Sequence, residues 1–313
     1  MSTPSPIIEV RNLRRTFDAV RAVNDISFAV PRGSVVGFIG ANGAGKTTTM
    51  RMMVTLEMQD SGHISMAGFD TLNHPGEVRR RVGWMPDSFG TYDNVTVWEY
   101  LDFYARAYGY KGSDRTARIR EVMDFTDLTP LAERFTNKLS KGMGQRLCLG
   151  RTLLHDPEIL IMDEPAAGLD PKARMEFKRL INLLAASGKT IFISSHILSE
   201  LGEMCHSLLF IDKGQIIHHG TAEDLRTDRQ TLVVEVLVSG SPEILIQWAG
   251  MNPGVSVVDT LKNGARLGFD ENNPEALARV LKKMILDGVP VLDFHRQERR
   301  LEDAFIDILR KIQ

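Results

Sequence analysis

The first two-thirds of the chain alternate short apolar runs with stretches of helical period, from residue 7 to about residue 220. The apolar runs are rich in β-branched residues and lack polar alternation, which is typical of strands buried on both faces of a parallel sheet. Alternation of such strands with helices predicts an α/β domain with a largely parallel sheet. The clearest predicted strands are Val35–Ile39, Ile159–Met162, 190–193 and 208–211.

Two segments of this region have a different pattern. Residues 7–30 form extended segments broken by an Asp-Ala pair, which favours an antiparallel layer over a helix. Over residues 96–128 the apolar spacing becomes helical, so we expect a helical insertion over about residues 96–155. The apolar positions of the two clearest helix faces are Val97, Tyr100, Leu101 and Tyr104, followed by Ile119, Val122 and Met123.

A polar stretch at residues 226–230 separates this region from a second alternation of strand and helix patterns. We therefore predict a first domain over residues 1–225 and a small C-terminal α/β domain over residues 226–313. The predicted elements of the second domain are a strand at Leu232–Val238, a helix from Pro242, strands at 255–258 and 267–269, a helix through Leu277 and Met284, a strand at 290–294 and a helix through Leu301 and Ile312.

Composition and charge narrow the class of protein. Lys and Arg number 38 and Asp and Glu number 40 among 313 residues, so the net charge of -2 provides no global positive field for a nucleic-acid backbone. Two cysteines are too few for a disulfide framework, which favours a reducing compartment. Because neither a leader pattern nor an apolar run of about 18 residues occurs, we expect a cytoplasmic protein that reaches a membrane only through a partner.

A phosphate-binding loop motif follows the first buried strand. Residues 40–47 match GxxxxGK[ST] between a predicted strand and a predicted helix, the context that this motif requires. Glycines let the loop turn its backbone N–H groups toward phosphate oxygens, Lys46 reaches the β- and γ-phosphates, and the Thr47 hydroxyl can ligate magnesium. The predicted nucleotide-binding residues here are Gly40, Asn42, Gly43, Ala44, Gly45, Lys46, Thr47 and Thr48.

Two acids follow another buried strand, since Ile159–Met162 leads directly into Asp163 and Glu164. A carboxylate at the carboxyl end of such a strand lies where a doubly wound sheet binds its ligands. Asp163 would hold magnesium, directly or through water, and Glu164 could orient and deprotonate an attacking water. An isolated acid pair is usually only solvated, but its place behind a buried strand and beside a phosphate-binding loop favours catalysis.

Residues 139–146, Leu-Ser-Lys-Gly-Met-Gly-Gln-Arg, resemble the LSGGQ signature of ATP-binding cassette (ABC) ATPases and precede the strand that carries the acids. Residues 163–171 resemble that family's Walker B and D-loop run, and Ser195-His196 resembles its switch histidine. The resemblance covers about residues 7–225. It implies a P-loop NTPase core with an antiparallel β subdomain and a helical subdomain, which binds ATP and Mg²⁺.

The resemblance also implies roles at a dimer interface. In this family two cassettes face head to tail and hold each ATP between the phosphate-binding loop of one and the signature of the other. Ser140, Gly142 and Met143 belong to the signature that would meet the γ-phosphate from the partner, and Asp170 would act across the interface. His196 would reach the γ-phosphate and position the attacking water.

Four residues depart from the usual family pattern. Phe17 aligns with the aromatic residue, more often tyrosine, that stacks on adenine; the alternative is a phenylalanine buried under the antiparallel layer. Asp87 stands at the position of the Q-loop glutamine, where a carboxylate could still ligate magnesium. Lys141 and Met143 replace a glycine and a glutamine of the signature, and this variant resembles the ATPases of the type-2 ABC exporter class.

The resemblance predicts the ATP-binding and ATP-hydrolysing subunit of an ABC transporter, with export favoured. A homodimer would bind a separate permease at the cytoplasmic face of the cell membrane. A groove formed by the helical insertion and residues 87–97 would receive a helix of the permease. No nucleic-acid partner is expected. The alternatives are a soluble ABC ATPase acting on DNA or ribosomes and a low-turnover nucleotide-gated regulator. Residues 301–305, Leu-Glu-Asp-Ala-Phe, resemble the closing segment of the same exporter class.

Overall fold

The computed structural model describes residues 5–88, 90, 92–202, 204–221, 232–269 and 274–296. The chain divides into two compact units, residues 1–221 and residues 222–313. The domain boundary predicted at residue 225 and the helix predicted through Leu301 and Ile312 lie outside the described residues.

The first unit alternates strands and helices. Its strands are β1 (Ile8–Phe17), β2 (Val20–Val30), β3 (Val35–Ile39), β4 (Ser61–Met66), β5 (Phe69–Asp70), β6 (Val82–Met85), β7 (Ile159–Met162), β8 (Thr190–Ser195), β9 (Ser207–Asp212) and β10 (Gln215–Gly220). Its helices are α1 (Lys46–Met53), α2 (Pro75–Arg81), α3 (Val97–Ala107), α4 (Gly112–Phe125), α5 (Lys141–Leu153), α6 (Pro171–Ala186) and α7 (Leu198–Gly202), with 3₁₀ turns at Thr129–Leu131 and Thr136–Lys138.

These strands form two sheets. The larger has the order β10-β9-β3-β8-β7-β6 and is parallel except for the β9–β10 hairpin. Every residue of β3, β7 and β8 is buried, as the unbroken apolar runs predict. Because β3, β8 and β7 are neighbours and parallel, the residues that follow them lie at one edge of the sheet.

The smaller sheet is antiparallel, with the order β2-β1-β4-β5. Residues 7–30 supply two of its strands, as predicted, whereas β4 and β5 carry no strong apolar run and were not anticipated. The two sheets pack through aromatic side chains: Phe28 stacks on Phe192 with ring centroids 5.5 Å apart, and Phe192 lies 5.2 Å from Phe38. Burying one such ring stabilises the fold by about 1.5–3 kcal/mol.

Helices α3, α4 and α5 occupy the region where the sequence predicts a helical insertion. Thr96 begins α3 with a capping box, in which its backbone N–H donates to the Glu99 carboxylate (2.8 Å) and its hydroxyl accepts from the Glu99 N–H (3.2 Å). The predicted apolar face is buried at Val97, Tyr100 and Leu101. Local capping and helical spacing therefore account for this part of the fold.

The second unit contains β11 (Leu232–Val238), α8 (Glu243–Gly250), β12 (Val255–Leu261), β13 (Gly264–Phe269), α9 (Pro274–Leu286) and β14 (Val291–Arg296). Its sheet is antiparallel with the order β12-β13-β11-β14, so the unit has the split βαβ, ferredoxin-like topology. Val234, Val236, Leu267 and Met284 are fully buried in its core. The Trp248 indole N–H donates to the Asp287 carboxylate at 2.9 Å.

Candidate active site

The phosphate-binding loop connects β3 to α1 and has a conformation that requires glycine. Gly43 and Gly45 have φ values of 80° and 108°, a region that side chains rarely adopt. A Cβ atom on Gly45 would lie 2.4 Å from the backbone oxygen of Ala22 on β2, so no larger residue fits there. The Gly214 N–H holds the loop from the β9–β10 turn by donating to the Ala44 carbonyl at 3.0 Å.

Lys46 is the first residue of α1, and it is only 6% exposed. Its Nζ donates to the carbonyl oxygens of Gly40 (2.6 Å) and Ala41 (3.2 Å) and lies 3.4 Å from Glu164 Oε1. These oxygens compensate for the loss of hydration around the buried ammonium group. The amine therefore lies inside the loop whose phosphate ligand it is predicted to contact.

Asp163 follows β7 and is 2% exposed. Its Oδ2 accepts a hydrogen bond from the Thr47 hydroxyl at 2.7 Å, and its Oδ1 accepts from the Ser194 hydroxyl at 2.6 Å. Thr47 comes from α1 and Ser194 from β8, so neighbouring parallel strands bring the three side chains together. The hydroxyl and carboxylate oxygens are the hard donors that Mg²⁺ prefers.

Glu164 turns away from β7 in a left-handed conformation, with φ 47°. Its N–H donates to the Ser194 hydroxyl at 2.9 Å, and its Oε2 lies 2.8 Å from His196 Nδ1. The other carboxylate oxygen, Oε1, is buried and has no hydrogen-bond partner apart from the ammonium group of Lys46 at 3.4 Å. The side chain of His196 is 44% exposed, so the acid and histidine meet where the site opens to solvent.

Ser194 is a site residue that the sequence analysis missed. It is fully buried and contacts both acids, through the side chain of Asp163 and the backbone of Glu164. The available signal was a pair of serines at the end of the apolar strand β8, directly before His196. Serines are common enough that this signal alone could not have assigned a contact with β7.

Asp87 lies at the same edge of the sheet. It follows β6 by two residues and is exposed. The neighbouring strand ends are joined by the Asp163 N–H, which donates to the Met85 carbonyl at 2.8 Å.

Phe17 ends β1, next to the turn at Asp18, whose φ is 49°. Its side chain is 40% exposed, so the alternative of a ring buried under the antiparallel layer is wrong. The guanidinium carbon of Arg15 lies 4.5 Å from the centroid of the ring. The β1–β2 hairpin adjoins the phosphate-binding loop through the Ala22 carbonyl beside Gly45.

The signature residues form a second group at the start of α5. Ser140 is the N-cap, and its hydroxyl accepts from the Met143 N–H at 3.4 Å. Asp170 caps α6 in the same way, accepting from the Ala173 N–H at 2.9 Å. A Cβ on Gly142 would lie 2.8 Å from the Ala173 Cβ, so the two helix starts are packed together.

The predicted residues therefore fall into two groups within one chain. The first contains Lys46, Thr47, Asp163, Glu164 and His196, and the second contains the signature and Asp170. Among the described residues, no hydrogen bond or ion pair joins the two groups. The part of the chain that the structure describes also holds no cluster of three or more His, Cys, Asp or Glu side chains with metal-site geometry.

Comparison with known proteins defines the family. Residues 23–167 match the ABC transporter family. The chain is 33% identical over 304 residues to the Nod factor export ATP-binding protein I of Ralstonia nicotianae, covering 96% of this chain and 93% of that protein. The chain belongs to the ABC transporter family as an ATP-binding subunit, and it is an ATPase. Neither predicted alternative is supported, whether a soluble ABC ATPase acting on DNA or ribosomes or a low-turnover nucleotide-gated regulator.

Solved structures agree with the predicted fold class. A structure described as the ATP-binding subunit of an ABC transporter is 32% identical, with a TM-score of 0.64, over 70% of this chain and 92% of that chain. The dimeric post-hydrolysis cassette MJ0796, bound to ADP and Pi, has the same fold at 21% identity, with a TM-score of 0.63 over 69% of this chain and 98% of its own. The P-loop ABC ATPase fold is therefore confirmed. Within the described residues, no helix is both long enough and apolar enough to span a bilayer.

Proposed function

We propose that this chain is the ATPase of an exporter, in which two copies close over two ATP molecules and transmit that closure to a membrane permease. The observation that carries the proposal is the convergence of Lys46, Asp163 and Glu164 at one edge of the parallel sheet, with contacts of 2.6–3.4 Å around them. The full-length similarity to a Nod factor export protein supports the outward direction.

Thr47 and Asp163 are the residues that would hold magnesium. Their oxygens already lie 2.7 Å apart, and both are hard donors, so the residues present fit the ion. Bound there, Mg²⁺ would neutralise charge on the phosphate oxygens. Asp87 would join this set from the end of β6. Lys46 would exchange its carbonyl contacts with Gly40 and Ala41 for the phosphates.

Glu164 is the proposed general base. Its buried Oε1 has no hydrogen-bond partner and lies next to Lys46, while Oε2 is held by His196. This arrangement fixes the orientation of the carboxylate and leaves one oxygen for the proton of an attacking water. His196 would position that water and the γ-phosphate.

The second group of residues would complete the site of a partner copy. Ser140, Gly142 and Met143 lie at the start of α5, where backbone N–H groups and the helix dipole favour an anion. Asp170 lies beside them at the start of α6 and would act across the same interface. Phe17 would stack on adenine, which its 40% exposure allows.

The helical region is the proposed permease contact. Phe103 on α3 is 60% exposed and Tyr92, in the segment before it, is 52% exposed. Exposed aromatic side chains favour protein interfaces. The groove formed by the helical insertion and residues 87–97 would receive a helix of the permease.

The substitution Glu164→Gln tests the base and the dimer together. It keeps the size of the side chain and removes its basicity, so we expect ATP binding to persist, turnover to stop and the dimer to accumulate with ATP and Mg²⁺. Size-exclusion chromatography with light scattering would measure the dimer, and phosphate release would measure turnover. Glu158→Gln is the matched control, because Glu158 lies at the opposite end of β7 and pairs with Arg32 at the surface.

Two outcomes would contradict this proposal. A Glu164→Gln variant that hydrolyses ATP at the wild-type rate would remove the base assignment. Tagged Glu164→Gln protein with ATP should also retain a polytopic membrane protein from detergent-solubilised membranes. Recovery of soluble partners alone would contradict the permease assignment.

A further inference from the structure

Arg15 and Phe17 form a stacked pair on β1. The two residues are two positions apart, which places both side chains on one face of the strand. The guanidinium carbon lies 4.5 Å from the ring centroid, within the range of a cation–π contact. One side of the ring is thus covered by a cation, while 40% of the phenylalanine remains exposed.

The guanidinium group is also held by two acids. One terminal nitrogen of Arg15 donates to Asp60 Oδ1 at 2.6 Å, and the other donates to Glu57 Oε1 at 2.7 Å. Asp60 also accepts from the Thr16 N–H at 2.7 Å through Oδ2, and the Asp60 N–H donates to the Arg14 carbonyl at 2.9 Å. The hydrogen bond from Arg15 lowers the pKa of Asp60, so this carboxylate remains charged at neutral pH.

These acids belong to the segment that follows α1, the helix of the phosphate-binding loop. The N–H of Glu57 donates to the carbonyl of Arg51 near the end of that helix, at 3.2 Å. The hairpin is therefore joined to the segment after α1 through the acids around Arg15, and it lies close against the phosphate-binding loop at the Ala22 carbonyl beside Gly45. A shift of the Phe17 ring relative to the loop would require one of these contacts to change.

We propose that Arg15 is a positioning residue for the base of the nucleotide: it holds the Phe17 ring against its guanidinium group so that the exposed side of the ring can receive adenine. This inference rests on the stacking of Phe17 in the proposed function. It predicts that Arg15 contributes to binding only when the ligand has a base. Holding the ring in place before binding reduces the conformational entropy lost on complex formation.

The test compares MgADP with magnesium pyrophosphate, which lacks the base, by isothermal titration calorimetry on the full chain. Neither ligand has a γ-phosphate, so binding is measured without ATP turnover. Arg15→Gln should weaken MgADP about two- to five-fold, the range of one cation–π contact, and leave pyrophosphate unchanged. Unchanged pyrophosphate binding also shows that the variant is folded. Arg14→Gln is the matched control, because Arg14 lies on the same strand as Arg15 and pairs at the surface with Asp25 of β2.

A double-mutant cycle with Phe17→Leu distinguishes a failure of the proposed role of Arg15 from a failure of the proposed stacking of Phe17. If Arg15 acts through the ring, Arg15→Gln will cause no further loss of MgADP affinity once Phe17 is leucine. Equal losses for MgADP and pyrophosphate, or the same loss with and without the ring, would overturn the role of Arg15 and leave the stacking of Phe17 intact. If Phe17→Leu alone leaves MgADP affinity unchanged, the proposed stacking fails, and the role of Arg15 fails with it.

Discussion

Ser194 is expected to stabilise both the fold and the arrangement of the two acids. Its hydroxyl donates to Asp163 Oδ1 at 2.6 Å and accepts from the Glu164 N–H at 2.9 Å, and the residue is fully buried. In Ser194→Ala both partners remain in place, but each loses a hydrogen bond in a site from which water is largely excluded. The substitution therefore tests whether this single hydroxyl joins β8 to both acids.

The expected magnitude follows from the types of bond lost. A hydrogen bond to a charged group contributes about 1.5–3 kcal/mol, and one between neutral groups contributes about 0.5–1.5 kcal/mol. We therefore expect Ser194→Ala to lower the free energy of unfolding of the first unit by about 2–4 kcal/mol. ATP turnover should fall about tenfold or more, since a loss of about 1.4 kcal/mol in positioning Glu164 corresponds to a factor of ten in rate.

Urea unfolding followed by tryptophan fluorescence would measure this loss. In a Trp248→Phe background the remaining reporters are Trp84 and Trp98, which both lie in the first unit. Ser187→Ala is the control, because that exposed hydroxyl only donates to the Leu184 carbonyl at the end of α6. A surface change of this kind shifts stability by less than about 0.5 kcal/mol. A Ser194→Ala variant as stable and as active as this control would refute the reasoning.

Two further predictions concern the loop and a buried histidine. Gly45→Ala should abolish MgADP binding, because its Cβ would lie 2.4 Å from the Ala22 carbonyl, whereas Gly43→Ala, whose Cβ would meet no atom within 4 Å, should weaken MgADP binding less and lower the melting temperature. Equal losses of affinity in calorimetry would contradict this. Burial lowers the pKa of His155, whose Nε2 contacts the Val82 carbonyl at 3.1 Å. The unfolded chain therefore takes up a proton near pH 6.5 and the native protein only at lower pH, so the free energy of unfolding should fall as the pH decreases below about 7, and fall less in His155→Gln. If urea unfolding shows that the free energy of unfolding falls equally with pH in the two proteins, His155 does not have this role.

Local patterns were sufficient to predict the parts of the site that depend on one segment of chain. Residues 40–47 specify a loop that must adopt positive φ at Gly43 and Gly45, and the loop has that geometry. The buried strands β3 and β7 were visible because strands covered on both faces lack polar alternation. Short, partly exposed strands such as β4 and β5 have no comparable signal, and pairing with β1 decides their structure.

Contacts between segments could not be predicted in the same way. The position of Lys46 follows from carbonyls of its own loop and from Glu164, which is more than a hundred residues away in the sequence. The ferredoxin-like order of the second unit likewise depends on β13 entering between β11 and β12. Periodicity predicts that these strands exist, but their order depends on long-range pairing that leaves no local trace.

The acid pair shows how neighbouring residues acquire different roles through the backbone. Asp163 continues the direction of β7 and is buried between Thr47 and Ser194. Glu164 adopts φ 47°, a conformation that costs a residue with a side chain about 1–2 kcal/mol relative to the right-handed region. Glycine would relieve this strain but would remove the carboxylate beside His196. The Ser194 hydroxyl, which accepts from the Glu164 N–H, offsets the strain and turns the second acid out of the buried strand toward the opening of the site.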